Sequence, residues 1–121
     1  MTKSYDNHGA ERLIPLLRVM NREISERSDA IRSAYRRINQ VRRNRELPAR
    51  ERRIQEGFLQ AEIATHKREV RLANKELARL GCLVDELDPS TVLIPGRDGD
   101  LGRGFIWRAG EARVEEVCPG E

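Results

Sequence analysis

Aromatic residues are scarce: one Trp, two Tyr and two Phe make up 4% of the 121 residues. Large rings bury the most apolar surface per side chain, so a thick globular core is hard to build from so few. Cysteine is equally sparse. Cys82 and Cys118 are the only two, and neither belongs to a CxxC pair. Two thiols do not make the disulfide framework of a small secreted domain, so both read as reduced, with a disulfide as the alternative. Long apolar runs are missing as well. Nothing approaches the roughly 18 residues of a membrane span, and Arg18 interrupts the one N-terminal apolar cluster, Leu13 to Leu17, leaving no secretory signal. A cytoplasmic location is the default expectation. Spacing of metal ligands is also absent, since His8, His66, Cys82 and Cys118 are scattered. No metal and no cofactor are expected.

Charge is what the chain has in abundance. Charged residues make up 36%, and arginine supplies 20 of the 23 cations. Residues 1–81 hold 19 Lys/Arg against 11 Asp/Glu, whereas residues 82–121 hold 4 against 9. The sign of the charge therefore changes near residue 81, which is also where the apolar pattern changes.

From Ala10 the apolar residues recur in threes and fours. One set is Ala10, Leu17, Ile24, Ile31 and Ile38; the other is Leu13, Met20, Arg27, Ala34 and Val41. That is one helical seam at near-heptad spacing, broken only by Arg27. Asp6 is placed to cap the helix, and Pro15 predicts a kink or a separate first turn, because it lacks an N–H and clashes with the preceding turn. The repeat lapses from Arg42 to Leu47, and Pro48 suits a first helical position. A second repeat follows at Leu59, Ile63, His66, Val70, Ala73, Leu77 and Leu80, with Ile54, Phe58 and Ala61 on a slightly shifted face. Gly57 costs about 1 kcal/mol in a helix interior and predicts a local irregularity. Gly81 supplies a residue suited to end the helix. Both helical stretches span 33 residues, Ala10 to Arg42 and Pro48 to Leu80, so they are expected to fold back on each other. The fold class expected is mainly α: a long antiparallel, coiled-coil-like helical hairpin over residues 1–81, with helices at about 7–42 and 48–80.

Residues 82–121 predict a small antiparallel β element packed on the open end of the hairpin, within the same domain. Leu83-Val84 and Val92 to Pro95 read as extended, Asp88-Pro89-Ser90 as a turn, and Gly96 to Asp100 as a loop. Phe105 to Glu115 reads as a β-hairpin about Ala109-Gly110. A two-residue turn sets Trp107 against Ala112, Phe105 against Val114 and Arg108 against Glu111; a three-residue loop with a bulge is the competing register. Such a hairpin is marginal alone, so Phe105 and Trp107 are expected to dock against the first helix and the end of the second.

The arrangement Tyr5-Asp6, Ala10, then Leu13-Ile14-Pro15-Leu16-Leu17-Arg18 resembles the opening of an uncharacterised prokaryotic family, domain of unknown function 2203. That family opens with an aromatic, a capping Thr, a helix start and LLPLLR. Its second half is similar to Leu80-Gly81, Glu86-Leu87-Asp88-Pro89, Val92 to Pro95, Asp98-Gly99 and Phe105 to Glu111. The resemblance covers nearly the whole chain and implies a helical hairpin with a small β tail. It implies no activity. Two departures stand out: Leu93 where the family has the Asp of VDFP, and Glu115-Glu116 where it has an aromatic–His pair.

Three constellations invite a functional reading. Residues 36–53 carry Arg36, Arg37, Arg42, Arg43, Arg45, Arg50, Arg52 and Arg53 against Glu46 and Glu51. Guanidinium forks grip phosphates, so a basic hairpin tip suits nonspecific nucleic-acid binding, although Tyr35 and Phe58 alone make no stacking platform. Arg27 and His66 fall at one level of the seam and suit a polar layer with Glu23, Glu62 or Glu69 that sets register; the plainer reading, preferred here, has Arg27 reaching to water and His66 at the seam edge. The glycine-rich stretch Gly96 to Gly104 precedes a strand, which defeats a phosphate loop, and the acidic group Asp85, Glu86 and Asp88 has no matching base or nucleophile. No enzyme is expected. An interaction module is, because Leu16, Val19, Phe58 and Leu72 form an apolar surplus outside the seam: a hairpin that binds a protein partner or itself, with no membrane and no small-molecule substrate. Nucleic-acid binding through the tip is the alternative.

Overall fold

Asp6 caps the first helix through its carboxylate, which accepts a hydrogen bond from the Gly9 amide at 2.7 Å. In the computed structural model, which describes residues 3–85 and 87–117, that helix (α1, Asn7–Arg12) is one short piece and a second (α2, Ile14–Arg43) takes over after Leu13. Pro15 explains the break. Without an N–H it cannot bond the Glu11 carbonyl, and the Leu13 amide tightens instead onto Ala10 at 3.1 Å. After a short turn, α3 (Ala49–Arg79) begins one residue later than its proline, and the Pro48 carbonyl accepts the first helical bond, from Arg52 at 3.0 Å. The irregularity expected at Gly57 is not there. The helix runs unbroken through it, since a Cβ-less residue leaves every backbone hydrogen bond available.

Gly81 ends α3 with φ 78°. The Cys82 amide reaches back to Leu77 at 3.0 Å and the Gly81 amide to Ala78 at 2.9 Å, a complete Schellman closure. Four strands follow: β1 (Leu83–Val84), β2 (Thr91–Ile94), β3 (Phe105–Arg108) and β4 (Glu115–Glu116), forming an antiparallel sheet in that order. The sheet is built on the β2–β3 pair, with Val92 opposite Trp107 and Ile94 opposite Phe105. That pairing spans the glycine loop, which includes a 3-10 turn at Leu101–Arg103.

The final hairpin departs from both registers considered. Phe105 opposes Glu116 and Ile106 opposes Glu115. A turn does form at Arg108–Glu111, with Gly110 at φ 92° and no other residue of it at positive φ. Ala109 resists positive φ, so the twist-matched turn that keeps strands together is unavailable, and the chain leaves the ladder. Its polar groups bond elsewhere. Trp107 Nε1 donates to the Glu111 carbonyl at 2.9 Å, and the Val114 amide donates to Glu11 of α1 at 3.3 Å. Arg108 consequently pairs with Glu115, at 2.5 Å, and not with Glu111.

The chain divides into two compact units, and the division cuts α2 and α3. Unit 2, Glu23–Leu72, is the middle of the helical pair and its turn. In it α2 and α3 pack through Ala34, Ile38, Leu59 and Ile63, with Ile31 and Val41 at the edges. Unit 1 holds the described residues up to Arg22 and from Ala73 on. Its buried residues include Ile14, Leu17, Met20, Leu77, Val92, Ile94, Phe105 and Trp107. Among the described residues, no helix is long and apolar enough to cross a membrane.

Candidate functional site

The turn of unit 2 is built by its own polar groups. Asn44 Oδ1 accepts from the Glu46 amide at 3.1 Å, and Arg52 Nη1 donates to the carbonyls of Asn44 at 3.1 Å and Leu47 at 2.7 Å. Arg52 is thus a structural clasp. Arg42 bonds Glu56 across the helices, Nε to Oε1 at 2.9 Å, and this contact holds the Glu56 carboxyl below the usual carboxylate range. Arg37 faces Glu62 at 3.6 Å. Of the eight tip arginines, Arg36, Arg43, Arg45, Arg50 and Arg53 form no ion pair among the described residues, and all five are exposed. The nearby rings do not add a stacking surface, because Lys67 sits 5.5 Å over the Tyr35 ring and donates to its hydroxyl at 3.0 Å.

Beside the turn lies an open groove of about 520 Å³, with Val41, Leu47, Leu59 and Phe58 as its apolar lining and the Arg37–Glu62 pair at its side. Phe58 is 74% exposed and Ile54 43%. These two, with Ala61, stand well outside the seam and not slightly around from it. Successive helical residues turn by about 100°, so Phe58 points a quarter-turn away from Leu59, which is buried.

Arg27 and His66 meet in the seam. Arg27 Nη1 stands 3.1 Å from His66 Nδ1, and its Nε donates to Glu23 at 2.9 Å. A guanidinium can only donate, so His66 Nδ1 is the acceptor and the neutral ring carries its proton on Nε2. That nitrogen faces Glu62 at 3.8 Å, beyond hydrogen-bond reach. The layer is half-buried, with side-chain exposures of 31% for Arg27 and 18% for His66. Arg27 therefore turns along the seam towards His66, where the preferred sequence reading sends it to water.

In unit 1, Phe105 and Trp107 are buried, Trp107 to 1% exposure. The tail is tied down by backbone and side-chain bonds: Tyr5 Oη to the Leu80 carbonyl at 2.9 Å, the Tyr5 amide to Gly96 at 3.3 Å, and Asn21 to the Pro89 carbonyl at 3.3 Å. Cys82 is a buried free thiol whose burial pushes it up to about 11. The acidic turn is spent on itself. Asp88 accepts from Ser90 Oγ at 2.6 Å and Thr91 Oγ1 at 2.9 Å, which holds its carboxyl low, and Asp85 accepts from the Leu87 amide. Glu86 and Cys118 lie outside the described residues. Among those described, no group of three His, Cys, Asp or Glu stands ready for a metal ion.

A family model described as "Uncharacterized conserved protein (DUF2203)" matches residues 3–117. The chain belongs to the DUF2203 family. No curated protein matches it, and no solved structure does. The residues that carried the resemblance sit at joints of this DUF2203 chain. Leu13 to Arg18 span the α1–α2 break, Leu80-Gly81 close α3, and Asp88-Pro89 make the β1–β2 turn. Gly104 is required by packing: a Cβ there would lie 1.8 Å from the Ile94 carbonyl oxygen. Of the positions that depart from the family pattern, Leu93 is a half-buried strand residue paired with Ile106, and Glu116 lines a cleft of about 460 Å³ with Tyr5, Asp6, Arg97, Arg103 and Phe105. Phe58 and Leu72 stood out in the sequence, with Leu16 and Val19, as apolar residues outside the seam, and all four are exposed; their alignment with Ile54 in one row and the clasp role of Arg52 were not legible beforehand. A further signal for the row was that Ile54, Phe58 and Ala61 fit the main seam poorly.

Proposed function

We propose that this DUF2203 chain is a non-catalytic interaction module whose helical hairpin binds another protein or a second copy of itself. One observation carries the reading: Ile54, Phe58 and Leu72, exposed by 43%, 74% and 49%, share the outer side of α3, and Phe58 also lines the groove at the turn. Scattered exposed apolar residues are ordinary, but several aligned on one helix face form a patch that water covers poorly. The setting that fits is cytoplasmic, where a buried free thiol such as Cys82 stays reduced.

The test is capture from native lysate, with and without nuclease, comparing the wild-type chain with Phe58→Glu. Nuclease-resistant capture or self-association that Phe58→Glu abolishes is the expected result. A strict monomer that retains no protein would end this reading.

A second reading is nonspecific nucleic-acid binding at the tip, favoured by the five exposed arginines without an acidic partner. Arg37, Arg42 and Arg52 already have partners, so the number of phosphates gripped would be small. Each contact steepens the fall of log affinity with log salt by about 0.9 on duplex DNA. Undetectable binding at low salt, or binding unchanged after all eight tip arginines become Gln, discards it.

A further inference from the structure

Six residues of α3 lie in one line on its outer side: Ile54, Phe58, Ala61, Thr65, Arg68 and Leu72, and all six are exposed. Their spacing alternates four and three, as it does along the seam that packs on α2. Among the described residues, nothing covers the line. Gly57 flanks it, and a Cβ added there meets no atom within 4 Å, so no packing among the described residues asks for glycine in mid-helix. A glycine four residues before Ala61 is what a second helix approaching this face would use.

We propose that this line is the contact between two copies of the chain, α3 of one packing antiparallel on α3 of the other about a two-fold axis level with Ile63. The inference rests on the interaction reading above and names the partner. The spacing itself selects the occupant. A 4-3-4-3-4 series reads the same in either direction, so a two-fold axis sets Ile54 against the partner's Leu72, Phe58 against the partner's Arg68, and Ala61 against the partner's Thr65. Apolar meets apolar at the ends. At the crossing small meets small, where the two backbones approach most closely. Between them a guanidinium lies over an aromatic face, a favourable pairing of cation and ring. The parallel alignment stacks Arg68 on its own copy, like charge on like charge, and leaves Phe58 without the cation. A foreign helix would have to bring its own complement to each of these positions. A second copy brings all of them, which is the self-complementarity of an isologous contact.

Sedimentation velocity and light scattering on the full chain, from about 1 to about 200 µM, test the pairing directly. A concentration-dependent dimer is expected, with Phe58→Glu and Ala61→Arg each weakening it by at least about tenfold. Both positions are exposed, so the far-ultraviolet helical signal should be unchanged. Orientation is read from a spin label on Gln55→Cys in a Cys118→Ser background. Antiparallel helices hold the two labelled backbones about 24 Å apart along the axis, and parallel ones hold them side by side. Three results overturn the proposal: a wild-type chain that stays monomeric throughout, a dimer that tolerates both substitutions, or a short distance between labels. If the monomer instead captures a different protein and Phe58→Glu abolishes that capture, the interaction reading survives and self-pairing is rejected.

Discussion

The two units of this chain bury their side chains by different means. Unit 1 encloses Leu17, Val92, Ile94, Pro95 and Trp107 completely, because helix segments and a sheet surround them. Unit 2 has only two helices, and its core is a single file of aliphatic residues: Ala34, Ile38, Leu59 and Ile63. The rings sort accordingly. Phe105 and Trp107 are buried in unit 1, whereas Tyr35 and Phe58 of unit 2 are both exposed. A helix pair covers a side chain from one direction only, so a large ring needs a further layer to be enclosed. Among its described residues, unit 2 has no such layer. The charges differ too, with 13 Lys/Arg against 8 Asp/Glu in residues 23–72 and an acidic excess in the rest.

The contrast is broken most directly at the rings. Trp107→Ala should cost about 3–5 kcal/mol, as for other large rings removed from cores, while Phe58→Ala should change the protomer's stability by less than about 0.5 kcal/mol. Equilibrium unfolding in urea measures both. Comparable costs would mean that Phe58 is covered after all.

Glycine sharpens the same comparison. Gly104→Ala drives a methyl group into the Ile94 carbonyl, so strand β3 must move, and a loss of about 3 kcal/mol is expected. Gly57→Ala meets nothing and should stabilise the isolated protomer by about 0.5–1 kcal/mol. Opposite signs at two glycines of one chain are the result to look for.

A smaller effect is expected at the polar layer of unit 2. Arg27→Leu or His66→Leu alone leaves the other half-buried polar group without its partner, costing about 1 kcal/mol. The double substitution should recover most of that loss, since two leucines at one level continue the seam. Losses that simply add in a double-mutant cycle would show that the 3.1 Å contact does not couple the two residues.

At neutral pH the smallest effect belongs to unit 1, because it develops only at alkaline pH. Burial raises Cys82 to about 11 from its ordinary 9.0, so on unfolding the thiol ionises more readily. Its contribution to stability is therefore intact below about pH 9 and is lost as pH rises from there towards 11. Tyr5, raised first by its own burial and then by the nearby Cys82 thiolate, acts in the same direction. Cys82→Val should flatten the part of that slope due to the thiol. An unaltered urea midpoint from pH 8 to pH 10.5 in the wild-type chain would contradict this, those limits being set about the ordinary thiol value.

Local chemistry made much of the architecture readable in advance. Asp6 as cap, Pro15 as break and Gly81 as closure act within a turn or two of their own position, so sequence alone announces them. The pairing of β2 with β3 and the register of the last strand did not announce themselves. They depend on where Trp107 and the Val114 amide find partners, on Glu111 and on Glu11, the latter 103 residues away.

The sequence by itself determined that α3 carries residues in threes and fours, because helical periodicity follows from backbone geometry. It carries two such series, however: Leu59, Ile63, His66, Val70, Ala73, Leu77 and Leu80 on one side, and Ile54, Phe58, Ala61, Thr65, Arg68 and Leu72 on the other. Spacing shows which residues share a face and is silent on which face meets a neighbour. Tertiary contact with α2, through Ala34, Ile38 and the Arg27–His66 layer, decided that the first series is covered and the second left open.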